Sequence, residues 1–292
     1  MKNYILLEKS KDRCMTVFFY IIGGCILSLL FCLVAYILIR GFRGFTPSLL
    51  SFSEKGIGNQ LFNTVYLVFL SLVISTPLGT AAGIYMVEYA GKGRLTRFLE
   101  MCIETLSSLP SIVVGLFGYL VFIVMTHARW NLVAGALSVS ILCLPLIAAT
   151  TADAFKALPE TYKEGSYGLG ATHWQTIVHV MLPAASPRII TGIILAAGRG
   201  FGEAAALLYT AGMSTDIDWS NWNIFSGTCP LNPFRPGATL SLHIWGARTE
   251  SLAANAAQSA DFSSAVLVLI VFTFSIVSRV ISRNISSKTG SI

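Results

Sequence analysis

The sequence predicts an all-α integral membrane protein with six transmembrane helices, and three observations carry that prediction. Only 12 % of the 292 residues are charged and 54 % are hydrophobic, against about 25 % charged in an ordinary soluble domain. The mean hydropathy is +0.70. The apolar residues are gathered into runs of the roughly 20 residues that a bilayer crossing needs. A soluble globule cannot hide so much apolar surface, and the same composition excludes a disordered chain. The formal charge of +6 gathers into no Lys/Arg stripe, so the lipid bilayer, and no nucleic acid, is the expected surroundings. Of the six cysteines, five lie in or beside apolar runs and Cys229 stands alone in a polar segment, so no disulfide framework is expected.

The spans follow in order. A cytoplasmic tail, 1–14, leads into span one at 15–39, which is bounded by Arg13 and Arg40. This run is too long for a signal-peptide core and no small-residue cleavage site follows it, so it reads as an uncleaved anchor. Span two covers 61–87 and contains Pro77. Span three covers 105–126, with Pro110 near its start, and span four 130–151, with Pro145 near its end. Span five, 189–212, is interrupted by Arg199 and Glu203, and span six covers 263–281. Proline inside a span is tolerated where neighbouring groups satisfy the freed carbonyl. The membrane region as a whole runs 15–285, and 286–292 form a second tail.

Basic residues collect on the cytoplasmic side of a membrane protein. With the N-terminus inside, thirteen of the twenty Lys and Arg residues lie inside, six outside, and Arg199 within the membrane. Both termini are then cytoplasmic. Trp130, Trp219, Trp222 and Trp245 fall on the outside, where interfacial aromatics belong. Two long connections remain: an inner loop, 152–187, and an outer loop, 213–262. A long ordered loop is usually functional.

In the inner loop, Leu158, Tyr162, Ser166 and Leu169 recur at the spacing of one helix face. Pro159 suits the first turn, and Glu160 and Glu164 suit the positive end of the helix dipole. Gly168 and Gly170 stop the helix. A second helical run over 172–181 is expected to end at Leu182-Pro183. An amphipathic surface helix with no partner is one reading of this pattern.

Within span five, Arg199 and Glu203 are spaced i, i+4, so they can pair on one face of a helix. An unpaired charge at that depth costs several kcal/mol. Mutual neutralisation with a packing role is one reading. The other is an anion contact, in which the planar donors of Arg199 suit phosphate-like oxygens. Glu203 would then hold Arg199 in place and keep anion binding weak enough for release. Two G-x-x-x-G pairs, Gly79 with Gly83 and Gly198 with Gly202, read as sites of close helix packing.

These residues carry a resemblance. Glu164-Gly165-Ser166, then Gly170, then Val180-Met181-Leu182-Pro183 resembles the E-A-A-x3-G-x9-I-x-L-P loop of ATP-binding-cassette importer permeases. Gly165 and Ser166 stand for the two alanines and Val180 for the isoleucine. The stretch from Gly198 to Ala205 is similar to the G-R-A-[I/L]-G-E-T-A stretch of phosphate importer permeases, with Ala204 in place of the threonine. The stretches Pro110–Gly118 and Pro77–Tyr85 resemble the same family. The similarity runs from about residue 60 to 212, and weakly beyond. The short link after span one and the closing 266–283 region look more like the PstA type of that family than the PstC type.

The resemblance implies a type-I importer permease (MetI-like) architecture and a role in phosphate import. It implies that Glu164, Gly165, Ser166, Gly170, Leu182 and Pro183 couple the chain to an ATPase subunit, and that Arg199 and Glu203 line the substrate path. The implied partners are a PstC-like permease in a heterodimer, two PstB-like ATPase subunits, a PstS-like phosphate-binding protein, and phosphate. The implied location is the bacterial inner membrane.

No H-E-x-x-H, G-x-S-x-G or Walker lysine loop occurs, so this chain is not expected to hydrolyse ATP or to bind a cofactor. ATP and Mg²⁺ would sit on the ATPase subunit. His173 and His179, six apart without Cys or a nearby carboxylate, read as polar surface and not as metal ligands. A permease for sulfate, molybdate or phosphonate is the alternative within the class. An intramembrane enzyme or stand-alone channel is the alternative outside it, and neither of those has a use for an ATPase dock.

Overall fold

The structure is a computed structural model describing residues 2–53, 56–91, 93–250 and 256–289, with side chains from 11 to 283. Eleven α-helices are described: α1 (Lys2–Arg43), α2 (Gly58–Glu88), α3 (Arg94–Ser108), α4 (Ser111–Tyr119), α5 (Leu132–Lys156), α6 (Thr161–Gly168), α7 (His173–Thr176), α8 (Leu182–Gly202), α9 (Ala205–Thr210), α10 (Leu240–Thr249) and α11 (Ala256–Thr289). Among the described residues five helical runs are long and apolar enough to cross a bilayer, or six if one bent pair counts as a span.

That bent pair corrects the reading of span three as one helix over 105–126. The chain turns by 99° between α3 and the segment Ser111–Val124. Leu109, immediately before Pro110, is extended at φ −67°, ψ 131°, because the proline ring disfavours the helical region for the residue before it. Helix α3 has no buried residue and exposes Leu95, Phe98 and Met101, as an amphipathic helix lying flat on a bilayer surface does. The crossing left to α4 and its π-helical extension, Leu120–Val124, is about 21 Å at 1.5 Å per residue.

The core is built on α5, which packs against α2, α8, α4 and α9. Leu67, Leu132, Val139, Cys143, Ile147, Ala196 and Leu207 form its centre. The α2–α5 contact is close because Gly79 and Gly83 lie in it. A Cβ on Gly79 would come within 2.9 Å of Ile147, and one on Gly83 within 2.6 Å of the Ala148 carbonyl and of Thr151. Small residues at such a crossing let two backbones approach. Gly198 and Gly202 behave differently, since a Cβ there would meet nothing within 4 Å. Their face of α8 is open, so they pack on no other helix among the described residues of this chain.

The glycine at the α2–α5 crossing should be costly to replace. Gly83→Ala is expected to destabilise the protein by about 1–3 kcal/mol through overpacking, seen as a lower melting temperature in detergent. Gly23→Ala, where nothing lies within 4 Å, should not lower it. Equal melting of the two variants would refute this account of the crossing.

Residues that the charge pattern assigns to one side meet one another. Lys163 pairs with Glu88, and Lys156 lies 3.9 Å from Glu100. At the opposite end Asp261 bridges Arg40 and Arg248. The outer loop is tied down by satisfied polar groups. The carbonyls of Arg235 and Pro233 accept the N–H groups of Leu132 and Val133, and Asn131 Oδ1 accepts that of Ala134, so the first turn of α5 is capped by distant backbone. Arg235 is itself only 1 % exposed. It donates to Asn63 Oδ1 at 2.6 Å and to the carbonyls of Pro230 and Pro236, and burial pushes its guanidinium down to about 10. Cys229, solitary in the sequence, is fully buried beside it as a free thiol.

Candidate functional site: a docking loop and a broken span

The 152–187 loop holds two short helices, α6 and α7, beside the C-terminal end of α2. Helix α6 ends in a turn at Gly170, whose φ of +82° is left-handed, a conformation that costs other residues about 1–2 kcal/mol. Thr172 and Gln175 then form a reciprocal capping box. Gln175 Oε1 accepts from the Thr172 N–H at 2.9 Å, and Thr172 Oγ1 accepts from the Gln175 N–H at 3.3 Å. Helix α7 does not stop at Leu182-Pro183 as expected. It passes through a π-helical turn, Ile177–Met181, into α8, giving one helical run from His173 to Gly202. The Leu182 N–H reaches back to the Ile177 carbonyl, and Pro183 sits in the first turn of α8, where a missing N–H is least costly.

The loop residues therefore divide in two. Glu164, Gly165 and Gly170 are exposed and available to a partner. Ser166 is not: its hydroxyl is buried 2.9 Å from that of Thr176, tying α6 to α7. Leu182 packs inward on the cluster of Phe155, Ile177 and Met181, and Pro183 is half-buried. Two residues of the same loop outside the set that the resemblance names are strongly exposed. Leu169 is 91 % exposed and Trp174 63 %. The spacing of Leu169 predicts the same helix face as Leu158 and Ser166, but the helix ends one residue before it. His173 packs between Tyr89 and Tyr167.

The second site is the break after α8. Glu203 is extended at φ −72°, ψ 124°, so span five is two helices and not one. The Glu203 carboxylate turns to the next helix, where its Oε1 accepts from the Ala206 N–H at 3.0 Å, in the manner of an N-terminal cap. Its carbonyl accepts from Ser241 Oγ at 2.6 Å. Glu203 is 8 % exposed, and no ion pair joins it to Arg199 among the described residues. The expected i, i+4 pair does not form, because the backbone leaves the helix between the two side chains.

Arg199 instead belongs to an exposed stripe on α8 with Arg188, Thr191, Leu195 and Gly202, spaced by three and four. It lies in the last turn of α8, where a cation favours the negative end of the helix dipole. The glycines of the Pro110–Gly118 stretch support this region from behind. A Cβ on Gly115 would come within 2.7 Å of Ala206, and one on Gly118 would collide with Ser138. That stretch thus seats α4 against α9, the helix that follows the break.

Comparison with known proteins places the chain in a family and a fold. The probable ABC transporter permease protein YqgI of Bacillus subtilis (strain 168) is 41 % identical over 288 residues, covering 96 % of this chain and 98 % of that protein. The phosphate transport system permease protein PstA of Xylella fastidiosa (strain 9a5c) is 36 % identical over 158 residues, 54 % of this chain and 55 % of that one. Among solved structures, a bacterial ABC transporter involved in the import of the acidic polysaccharide alginate superposes with a TM-score of 0.63 at 15 % identity, covering 96 % of this chain and 99 % of that chain. The fold is accordingly that of type-I ABC importer permeases. Residues 75–291 match the model of the binding-protein-dependent transport system inner membrane component family, and the chain belongs to that family.

Proposed function

We propose that this chain is the PstA-type permease subunit of an ATP-driven importer of inorganic phosphate. The observation that carries the choice of substrate is Arg199: a cation within a span, on an open stripe, without a carboxylate partner among the described residues, in a stretch resembling that of phosphate permeases. A relative named as a phosphate permease supports the same reading. A second, PstC-like permease would close the open face of α8, two PstB-like ATPase subunits would hold ATP and Mg²⁺, and a PstS-like protein would deliver phosphate to the outer loops. Both termini would lie in the cytoplasm.

In this reading the chain performs no chemistry on its substrate. Arg199 offers planar donors that match the oxygens of a tetrahedral anion. Buried Glu203 fixes the helix break and sets a negative charge near the path, which opposes long residence of the anion. The exposed tip of Gly165, Leu169, Gly170 and Trp174 docks on the ATPase subunit. Closure of the ATPase pair moves the tip, and the continuous helix from His173 to Gly202 carries that movement to Arg199 as a rigid body.

Competition in proteoliposomes holding the complete complex tests the substrate. Labelled phosphate uptake should depend on ATP and on the binding protein, and a hundredfold excess of sulfate or molybdate should leave it unchanged. Displacement of phosphate by either anion would refute the assignment.

A further inference from the structure

The inner end of α2 is held by the docking loop at two separate places. The first is ionic. Lys163 Nζ of α6 lies 2.8 Å from Glu88 Oε1, and the Glu88 side chain is only 2 % exposed. The contact is not aligned as a hydrogen bond, and no other group among the described residues bonds that oxygen, so the charge on this buried carboxylate is answered by Lys163. A buried carboxylate without its counter-charge is strongly disfavoured. The second place is aromatic. The Tyr89 ring meets His173 of α7 edge-on, with centroids 5.0 Å apart, and stacks on Tyr85 at 6.2 Å. The Tyr167 hydroxyl of α6 lies 2.7 Å from His173 Nδ1.

Both halves of the loop therefore grip the same turn of α2, and they are joined to each other through Ser166 and Thr176. Helix α2 in turn packs on α5 through Gly79 and Gly83. We infer that Glu88 and Tyr89 are positioning residues that make α2 a second lever, moved by the docking loop together with α8. This inference rests on the docking reading above. Without the clamp, movement of the tip would still reach α5 through the link at 157–160 and α8 through the His173–Gly202 helix, but the end of α2 would follow them only through the packing of Ile84 and Val87 on the Phe155–Ile177–Met181 cluster.

The test is the number of phosphates moved per ATP hydrolysed in the reconstituted complex, with retention of the ATPase subunit followed in parallel. Glu88→Gln and Tyr89→Leu should each retain the ATPase subunit at wild-type stoichiometry and lower the ratio about tenfold. Tyr167→Phe, which removes only a hydroxyl, should lower it about threefold. The charge swap Glu88→Lys with Lys163→Glu should return the ratio to within twofold of wild type. An unchanged ratio in both Glu88→Gln and Tyr89→Leu would overturn the clamp. If Glu88→Gln fails to assemble, Tyr89→Leu and the swap decide, and a swap that restores neither assembly nor ratio also overturns it. Failure of the docking reading looks different: the wild-type chain would not retain the ATPase subunit, or Gly170→Leu and Glu164→Lys would both leave its stimulation by the binding protein intact.

Discussion

Replacing Arg199 with glutamine is expected to reduce phosphate uptake by about tenfold to a hundredfold while the complex still assembles. A hydrogen bond to a charged group is worth about 1.5–3 kcal/mol, and each 1.4 kcal/mol is a factor of about ten. Assembly should survive for three reasons. Arg199 makes no ion pair among the described residues whose loss would strand a carboxylate. Glutamine matches arginine in helix propensity. The side chain sits on the open stripe of α8, so no packing within this chain is lost. Glu203→Gln provides the contrast, because its amide oxygen can still accept from the Ala206 N–H, so the break should persist while the negative charge goes. Phosphate should then leave the path more slowly, and uptake should fall at saturating substrate more than at low substrate. Uptake by Arg199→Gln equal to wild type in vesicles would remove Arg199 from the path. A variant that lost both uptake and assembly would assign it a structural role instead.

Hydropathy and charge suffice to read the long helices, because burial in lipid demands contiguous apolar residues whatever the neighbours do. The breaks are not legible in the same way. Pro77 and Pro145 lie inside continuous helices, whereas Pro110 marks a sharp bend. The difference lies in what flanks them: α3 is polar enough to leave the bilayer core, and α2 and α5 are not. The break at Glu203 depends on a partner 38 residues away, Ser241, which local spacing cannot reveal. The i, i+4 rule for Arg199 and Glu203 presupposes a helix that ends one residue too early. The inner loop carries one further local signal. Thr172 followed three residues later by Gln175 has the sequence form of a capping box, and it fixes where α7 starts. The inward turn of Ser166 and the outward tip of Leu169 depend on where α6 stops, because each residue turns the next side chain by about 100° around the helix axis and Leu169 lies just past the last helical residue.

Gly170→Leu is expected to abolish most of the stimulation of ATP hydrolysis by the binding protein, by about tenfold, without unfolding the membrane region. The space around Gly170 is open, and a Cβ added there would meet nothing within 4 Å, so the effect would come from backbone conformation and not from a clash. At φ +82° a leucine is strained by about 1–2 kcal/mol, enough for a short tip to abandon the turn while the helices on either side persist. Leu169 and Trp174 would then no longer be presented together. Asparagine tolerates left-handed geometry better than other non-glycine residues, so Gly170→Asn should keep most of the stimulation. That ordering separates turn geometry from side-chain bulk, since leucine and asparagine are similar in size. Glu164→Lys acts on the same surface by charge and should uncouple to a similar degree, with α6 intact. Full stimulation of the ATPase in both Gly170→Leu and Glu164→Lys would show that the tip is not the dock. Loss of stimulation in Gly170→Asn equal to that in Gly170→Leu would show that the left-handed turn is not what presents it.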